Sequence, residues 1–266
     1  MIVSRSQTNQ LYTTGILKGG ALLEDTRTLL THWDEKSTLR QNVERFRRDN
    51  TLGKASRCRV EDILQVLRHR FLDSAPDLNA LIALVSGGLA TESLHPILFF
   101  YAARADRLLY DSVTRFLAQR RRSGMVDIRV PELEAWIRGS IGQQHPPTKW
   151  SATTITRCAQ SVLSALRDFG VLQGAVQKRI AASCLPIRAF AYIAMLLHRA
   201  QPSGDRLLGH PDWRLFFLSR DAVERLLIES HQDRLLEYHA AGSVIRIAFP
   251  ARTIEEYAHV IASRAF

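Results

Sequence analysis

Apolar residues recur at three- and four-residue spacing along most of this chain, and strict alternation is confined to a few short stretches. That pattern dictates amphipathic helices with small strands between them. Residues 11–32 carry the helical spacing at Ile16, Leu22, Leu23, Leu29 and Leu30. Residues 39–48 turn Leu39, Val43 and Phe46 inward, and residues 49–56 break the pattern. A second helix is predicted from about Arg57 to Leu72, striped by Val60, Ile63, Leu64, Leu67 and Phe71, with Ser56 as its N-cap. Pro76-Asp77 opens a further helix that Gly87-Gly88 closes, and helices are predicted over 92–105 and 106–122.

Residues 106–184 hold the most informative order. After Arg120-Arg121-Arg122-Ser123-Gly124, residues 126–130 alternate as a strand. Pro131 suits a first helical turn, and Leu133, Trp136 and Ile137 give that helix an apolar side. A loop containing Gly142, Pro146 and Pro147 leads to Ser151, the N-cap of a helix running to Phe169. Its stripe is Ile155, Ala159, Val162, Leu166 and Phe169, and Gly170 stands at its C-terminal stop. Residues 178–184 read as a wing strand. A related unit closes the chain, with short helices over 211–217 and 220–231. A hairpin of 235–240 and 243–249 turns at Ala241-Gly242, and a last helix covers 253–262. The expected fold is mainly α: a helical N-terminal region with a helix-turn-helix, followed by winged helix-turn-helix units with short β wings. The expected division is 1–103 and 104–266, the latter split into 104–186 and 187–266.

Charge narrows the function. Lys and Arg number 36 against 26 Asp and Glu, a formal net charge of +10, and 31 of the 36 are Arg. Arg is the forked, permanently charged donor suited to phosphates and base edges, so the excess points to a polyanion. It is concentrated in residues 36–72 (net +6), 104–129 (+4) and 138–188 (+6), while 189–266 is neutral. The apolar runs 97–103 and 189–197 fall far short of the roughly 20 residues a membrane span needs. The polar first nine residues lack a secretory h-region. Cys58, Cys158 and Cys184 are too dispersed for a disulfide framework or a Cys-rich zinc site, so a reducing, cytoplasmic setting is expected.

The strongest candidate surface is the polar face of the 151–169 helix: Thr153, Arg157, Gln160, Ser164 and Arg167, with Thr154 and Ser161 beside it. It has no acid, unlike an ordinary solvated face. Arg suits guanine edges, Gln suits adenine, and Thr and Ser suit bases or phosphates. Lys149 before the helix and Lys178 and Arg179 on the wing would hold phosphates. The second candidate is Arg45, Arg47, Arg48, Lys54, Ser56, Arg57 and Arg59, around the break between two helices, as a phosphate clamp. Its competing reading is pairing with Glu44, Asp49, Glu61 and Asp62. Enzyme signatures are missing: no G-x-x-x-x-G-K-[ST], G-x-G-x-x-G after a strand, G-x-S-x-G or H-E-x-x-H occurs. No cofactor or metal is expected.

With these residues in place, the chain resembles the BrxA family, small accessory proteins of bacteriophage exclusion (BREX) defence systems. The likeness rests on Thr14-Gly15, the Ser-Thr-Leu-Arg-Gln-Asn segment at 37–42, the basic turn at 54–59 and the Leu-Arg-Asp-Phe-Gly-Val-Leu-Gln-Gly run at 166–174. It extends over nearly the whole length. The resemblance implies a non-enzymatic, duplex-DNA-binding protein with two helix-turn-helix regions, encoded beside a methyltransferase and an ATPase, with other BREX components as partners. It transfers no single DNA-contacting residue. Two other readings use the same charge: an RNA-binding helical module of antitermination type, and a protein scaffold of the defence complex. An exposed aromatic platform would favour RNA loops, but the aromatics fall mostly on apolar stripes.

Overall fold

The fold is built around two helices that are apolar on every side. In the computed structural model, which describes residues 11–143, 149–182, 184–242 and 244–263, the run 97–103 lies in α6 (Thr91–Ala105) and is wholly buried. The run 189–197 lies in α11 (Ile187–Ala200) and is equally buried. A helix apolar all round must be surrounded, and these two pack on each other. Before α6 come α1 (Ile16–Gly19), α2 (Leu23–Thr31), α3 (Leu39–Asp49), α4 (Arg57–Leu67) and α5 (Ala75–Ser86). α4 continues into a π turn, Arg68–Leu72.

Residues 11–32 are not one helix. Gly19 packs so tightly on α4 that an added Cβ would lie 2.7 Å from the Val66 side chain. Gly20 and Leu22 then adopt positive φ, 36° and 54°, and separate α1 from α2. The apolar spacing persists across the break, which is why periodicity alone joins the two. Ser56 caps α4 as expected, accepting from the Arg59 N–H at 3.2 Å.

After α6, residues 107–122 are helical throughout: α7 (Arg107–Asp111), a π turn (Ser112–Leu117) and α8 (Ala118–Arg122). Then follow β1 (Asp127–Ile128), α9 (Val130–Gly142), α10 (Ala152–Asp168), β2 (Leu172–Gln173) and β3 (Lys178–Ile180). The strands form one antiparallel sheet in the order β1-β3-β2, with Asp127 opposite Arg179 and Leu172 opposite Ile180. β1 and β3 are shorter than the alternation over 126–130 and 178–184 predicts; past their ends the pairing continues through single bonds, from the Ile180 N–H to the Val126 carbonyl at 2.9 Å and from the Ala181 N–H to the Val171 carbonyl at 3.0 Å. Gly142 ends α9 rather than opening a loop, and Pro146 and Pro147 lie outside the described residues. Ser151 caps α10, and Gly170 sits beyond its end at φ 78°. Gly174, at φ 92°, starts the β2–β3 turn, where a Cβ would lie 2.1 Å from the Gln177 carbonyl oxygen; only glycine fits.

The last segment comprises α12 (Gly204–Leu208), a 3-10 helix (Pro211–Phe216), α13 (Arg220–Gln232), the antiparallel pair β4 (Glu237–Ala241) and β5 (Val244–Ala248), and α14 (Ile254–Ser263). α14 returns to pack along α5, with Gly87 against Ala262 so closely that a Cβ on Gly87 would lie 2.5 Å from the Ala262 Cβ. Among the described residues the molecule is thus mainly helical with two small antiparallel sheets. Among the described residues no helix is long and apolar enough to cross a membrane, and the three cysteines are free.

Candidate nucleic-acid interface

The two basic zones differ in what their cations touch. In the N-terminal zone most are occupied. Arg47 bridges Glu61 at 2.5 Å and Glu44 at 3.2 Å. Arg48 pairs with Asp49 at 2.7 Å, and Lys54 with Asp25 of α2 at 2.6 Å. Arg59 donates to the Lys18 carbonyl. Arg45 lies over the Phe46 ring and donates through Nη2 to the His32 carbonyl at 2.6 Å and to Asn42 Oδ1 at 2.7 Å. Ser56 is used as the cap of α4. Arg57 alone of this set is exposed with no partner among the described residues.

The central zone is open. The exposed side of α10 presents Thr153, Arg157 and Gln160, and none has a partner among the described residues. Thr154 and Ser164 are half-buried at its edges, and the Thr154 hydroxyl lies 2.9 Å from the capping hydroxyl of Ser151. Arg167, at the far end, pairs with Asp168 at 2.7 Å. The opposite side, Ile155, Ala159, Val162 and Leu166, is buried, so the stripe assigned from sequence is the packed one. Lys149 is exposed just before the helix. On β3, Lys178 donates to the Ala175 carbonyl at 3.1 Å, and Arg179 pairs with Asp127 at 3.1 Å. Exposed ion pairs of this kind contribute about 0–1 kcal/mol, so Arg167 and Arg179 are readily exchanged for a phosphate.

The family model of BrxA matches residues 10–196. The chain belongs to the BrxA family. No curated protein matches it. The family match ends inside α11, before α12 and the elements that follow it. Two of the segments on which the BrxA likeness rests prove to be architectural. In 37–42, Thr38 and Gln41 form a reciprocal cap at the start of α3. Buried Asn42 binds both the N–H and the carbonyl of Asp34, at 3.0 and 2.8 Å, and so fixes the turn into the helix. In 166–174, Leu166, Phe169 and Leu172 are core, and the two glycines take the positive φ that the turns demand.

Sequence reasoning passed over Arg122, Arg129 and Arg138. Each is exposed with no side-chain partner among the described residues, and they sit at the end of α8, at the start of α9 and on α9. Their membership of the basic stretches 104–129 and 138–188 was the available signal. A further expected outcome concerns Arg45. Its Nε is buried without a partner, and its Nη2 holds two elements together. Arg45→Ala should lower stability by about 1–2 kcal/mol in urea unfolding and leave nucleic-acid affinity unchanged, the reverse of what a phosphate contact would give.

Proposed function

We propose that this BrxA-family chain is a non-enzymatic duplex-DNA-binding protein of a BREX defence system. In this reading residues 107–180 form a winged helix-turn-helix with α10 as the groove-facing helix. The carrying observation is the exposed, acid-free and unpartnered face of Thr153, Arg157 and Gln160, set beside a three-stranded sheet with Lys178 and Arg179 on its central strand. The order helix, strand, helix, helix, strand, turn, strand supports the assignment. A helix that offers Arg and Gln one turn apart matches the donor and acceptor patterns of major-groove guanine and adenine. Lys149, Arg122, Arg129 and Arg138 supply unpaired cations for the backbone, which positions the protein without reading sequence.

Duplex is favoured over single strands by the aromatic side chains. The large apolar residues exposed among those described are Leu11, Met125, Val176, Ile228 and Val244, with no aromatic platform for splayed bases. The test is a competition among duplex DNA, duplex RNA and single strands. Duplex DNA is expected to win, and affinity should fall with salt at about −0.9 in log–log slope per phosphate contact. Preference for a single strand, or a flat salt response, would remove the basis of the proposal. The neutral last segment is expected to take no part. Arg246→Glu on β5 should leave DNA affinity within about twofold, whereas Arg138→Glu should weaken it by about tenfold, as loss of a phosphate contact and addition of a repulsive charge predict.

A further inference from the structure

A cleft of about 500 Å³ opens in the N-terminal region, between Thr13–Gly15, the α4 end with its π turn, and the α6–α7 junction. Two charged groups on its inner wall are held apart. Arg70 is pinned by its Nη groups to the carbonyls of Gly20 and Ala21. Asp106 is pinned as the N-cap of α7, where Oδ1 accepts the Leu109 N–H at 3.1 Å. Neither is in an ion pair among the described residues, although each feels the other's charge. Burial lowers the Arg70 pKa to about 10 and raises that of Asp106, so both remain short of stabilisation. Three of the five Arg70 N–H groups are left over, and so are acceptor sites on the carboxylate beyond those taken by the backbone N–H groups of Leu109 and Leu108. At the outer wall stand Lys18 and Arg68, half or more exposed, whose pairs with Asp62 (3.2 Å) and Asp73 (2.8 Å) are surface pairs of little strength. The π turn places Arg68, His69 and Arg70 in succession along the wall, and such turns recur at functional sites.

We propose that this cleft binds a guanine nucleotide, with the base edge between Asp106 and Arg70 and the phosphate at Lys18 and Arg68. A group that satisfies a carboxylate and a guanidinium together must offer donors beside acceptors. Guanine does so: its ring N–H and amino group donate, and O6 and N7 accept. Adenine also sets its amino group beside N7, but it has no second donor for a bidentate pair with the carboxylate and no O6 for a bidentate pair with the guanidinium. An amino-acid zwitterion would use the inner pair and leave the outer cations idle. The site is independent of the α10 face, so it stands or falls separately from the DNA reading.

The experiment is calorimetric binding of GMP, IMP, AMP and inorganic phosphate to the full chain. GMP should bind more tightly than AMP by about tenfold or more, the scale of one bidentate base contact. IMP, which lacks the amino group, should fall between them. Asp106→Asn keeps a good N-cap and should abolish the preference for GMP over AMP. Lys18→Gln should weaken GMP several-fold and keep the preference. Equal binding of GMP and AMP by the parent chain, no GMP binding at millimolar concentration, or a preference that survives in Asp106→Asn each overturns the proposal. The comparison in the parent chain decides even where a variant fails to fold.

Discussion

Arg157→Ala combined with Gln160→Ala is expected to weaken duplex-DNA binding by roughly 1–3 kcal/mol, the loss of one good base-edge contact. Both side chains are exposed on α10 one turn apart, on the side opposite Ile155, Ala159 and Val162. Neither has a partner among the described residues, so removing them breaks nothing within the chain. Stability should therefore move by about 0.5 kcal/mol or less. The measurement is a pair of titrations, affinity by anisotropy and stability by urea unfolding. A parallel Lys149→Ala variant distinguishes the two kinds of contact. It should weaken binding uniformly across sequences and reduce the salt slope by about 0.9, whereas the double variant should flatten discrimination between sites. If the double variant binds like the parent, α10 is not the reading helix, and Arg57, the one unpartnered cation of the N-terminal set, becomes the place to begin again.

The contrast between the two basic zones shows which parts of this molecule sequence could reveal. α10 was legible because all its determinants are local: the Ser151 cap, an apolar stripe at three- and four-residue spacing, and Gly170 at the end. The order of elements from α7 to β3 followed from the same kind of signal. The break between α1 and α2 was hidden because it depends on the contact of Gly19 with Val66, 47 positions away. The partners of the N-terminal cations are hidden from sequence for a related reason. Counting nearby acids found Glu44, Asp49, Glu61 and Asp62, but Lys54 is satisfied by Asp25 from α2. Arg45 and Arg59 are satisfied by backbone carbonyls, which carry no formal charge and enter no charge count. Net charge gave the sign of the surface; only the fold distinguishes a cation facing solvent from one already bonded. The packing of α14 on α5 had no local signature at all, since its helical stripe would serve any apolar partner.

The largest expected loss of stability lies at Asp111. Its carboxylate, 3% exposed, accepts the Tyr12 hydroxyl at 2.9 Å and pairs with Arg107 at 2.8 Å and Arg115 at 3.5 Å. It thus joins the segment before α1 to two turns of the α7 region, 99 positions apart in sequence. Burial and the Asp111 charge together raise the Tyr12 hydroxyl well above an ordinary phenol, which favours its protonated, donating form. Replacing Asp111 by Ala leaves the Arg107 side chain, 15% exposed, without its counter-charge and the tyrosine without its acceptor. Removing one member of a buried pair costs about 3–5 kcal/mol, and about 3 kcal/mol is expected here because Arg115 reaches solvent. Tyr12→Phe removes the hydrogen bond to Asp111 and should cost about 1 kcal/mol. Urea unfolding of the parent, the two single variants and the double variant closes a cycle. The double variant should be less destabilised than the two single losses added, because the Tyr12–Asp111 hydrogen bond is counted in both single variants and can be lost only once. An Asp111→Ala protein as stable as the parent would mean that the carboxylate's desolvation cancels its two ion pairs, and that burial of Tyr12 and Ile16 contributes more to the attachment of this segment than the ion pairs do.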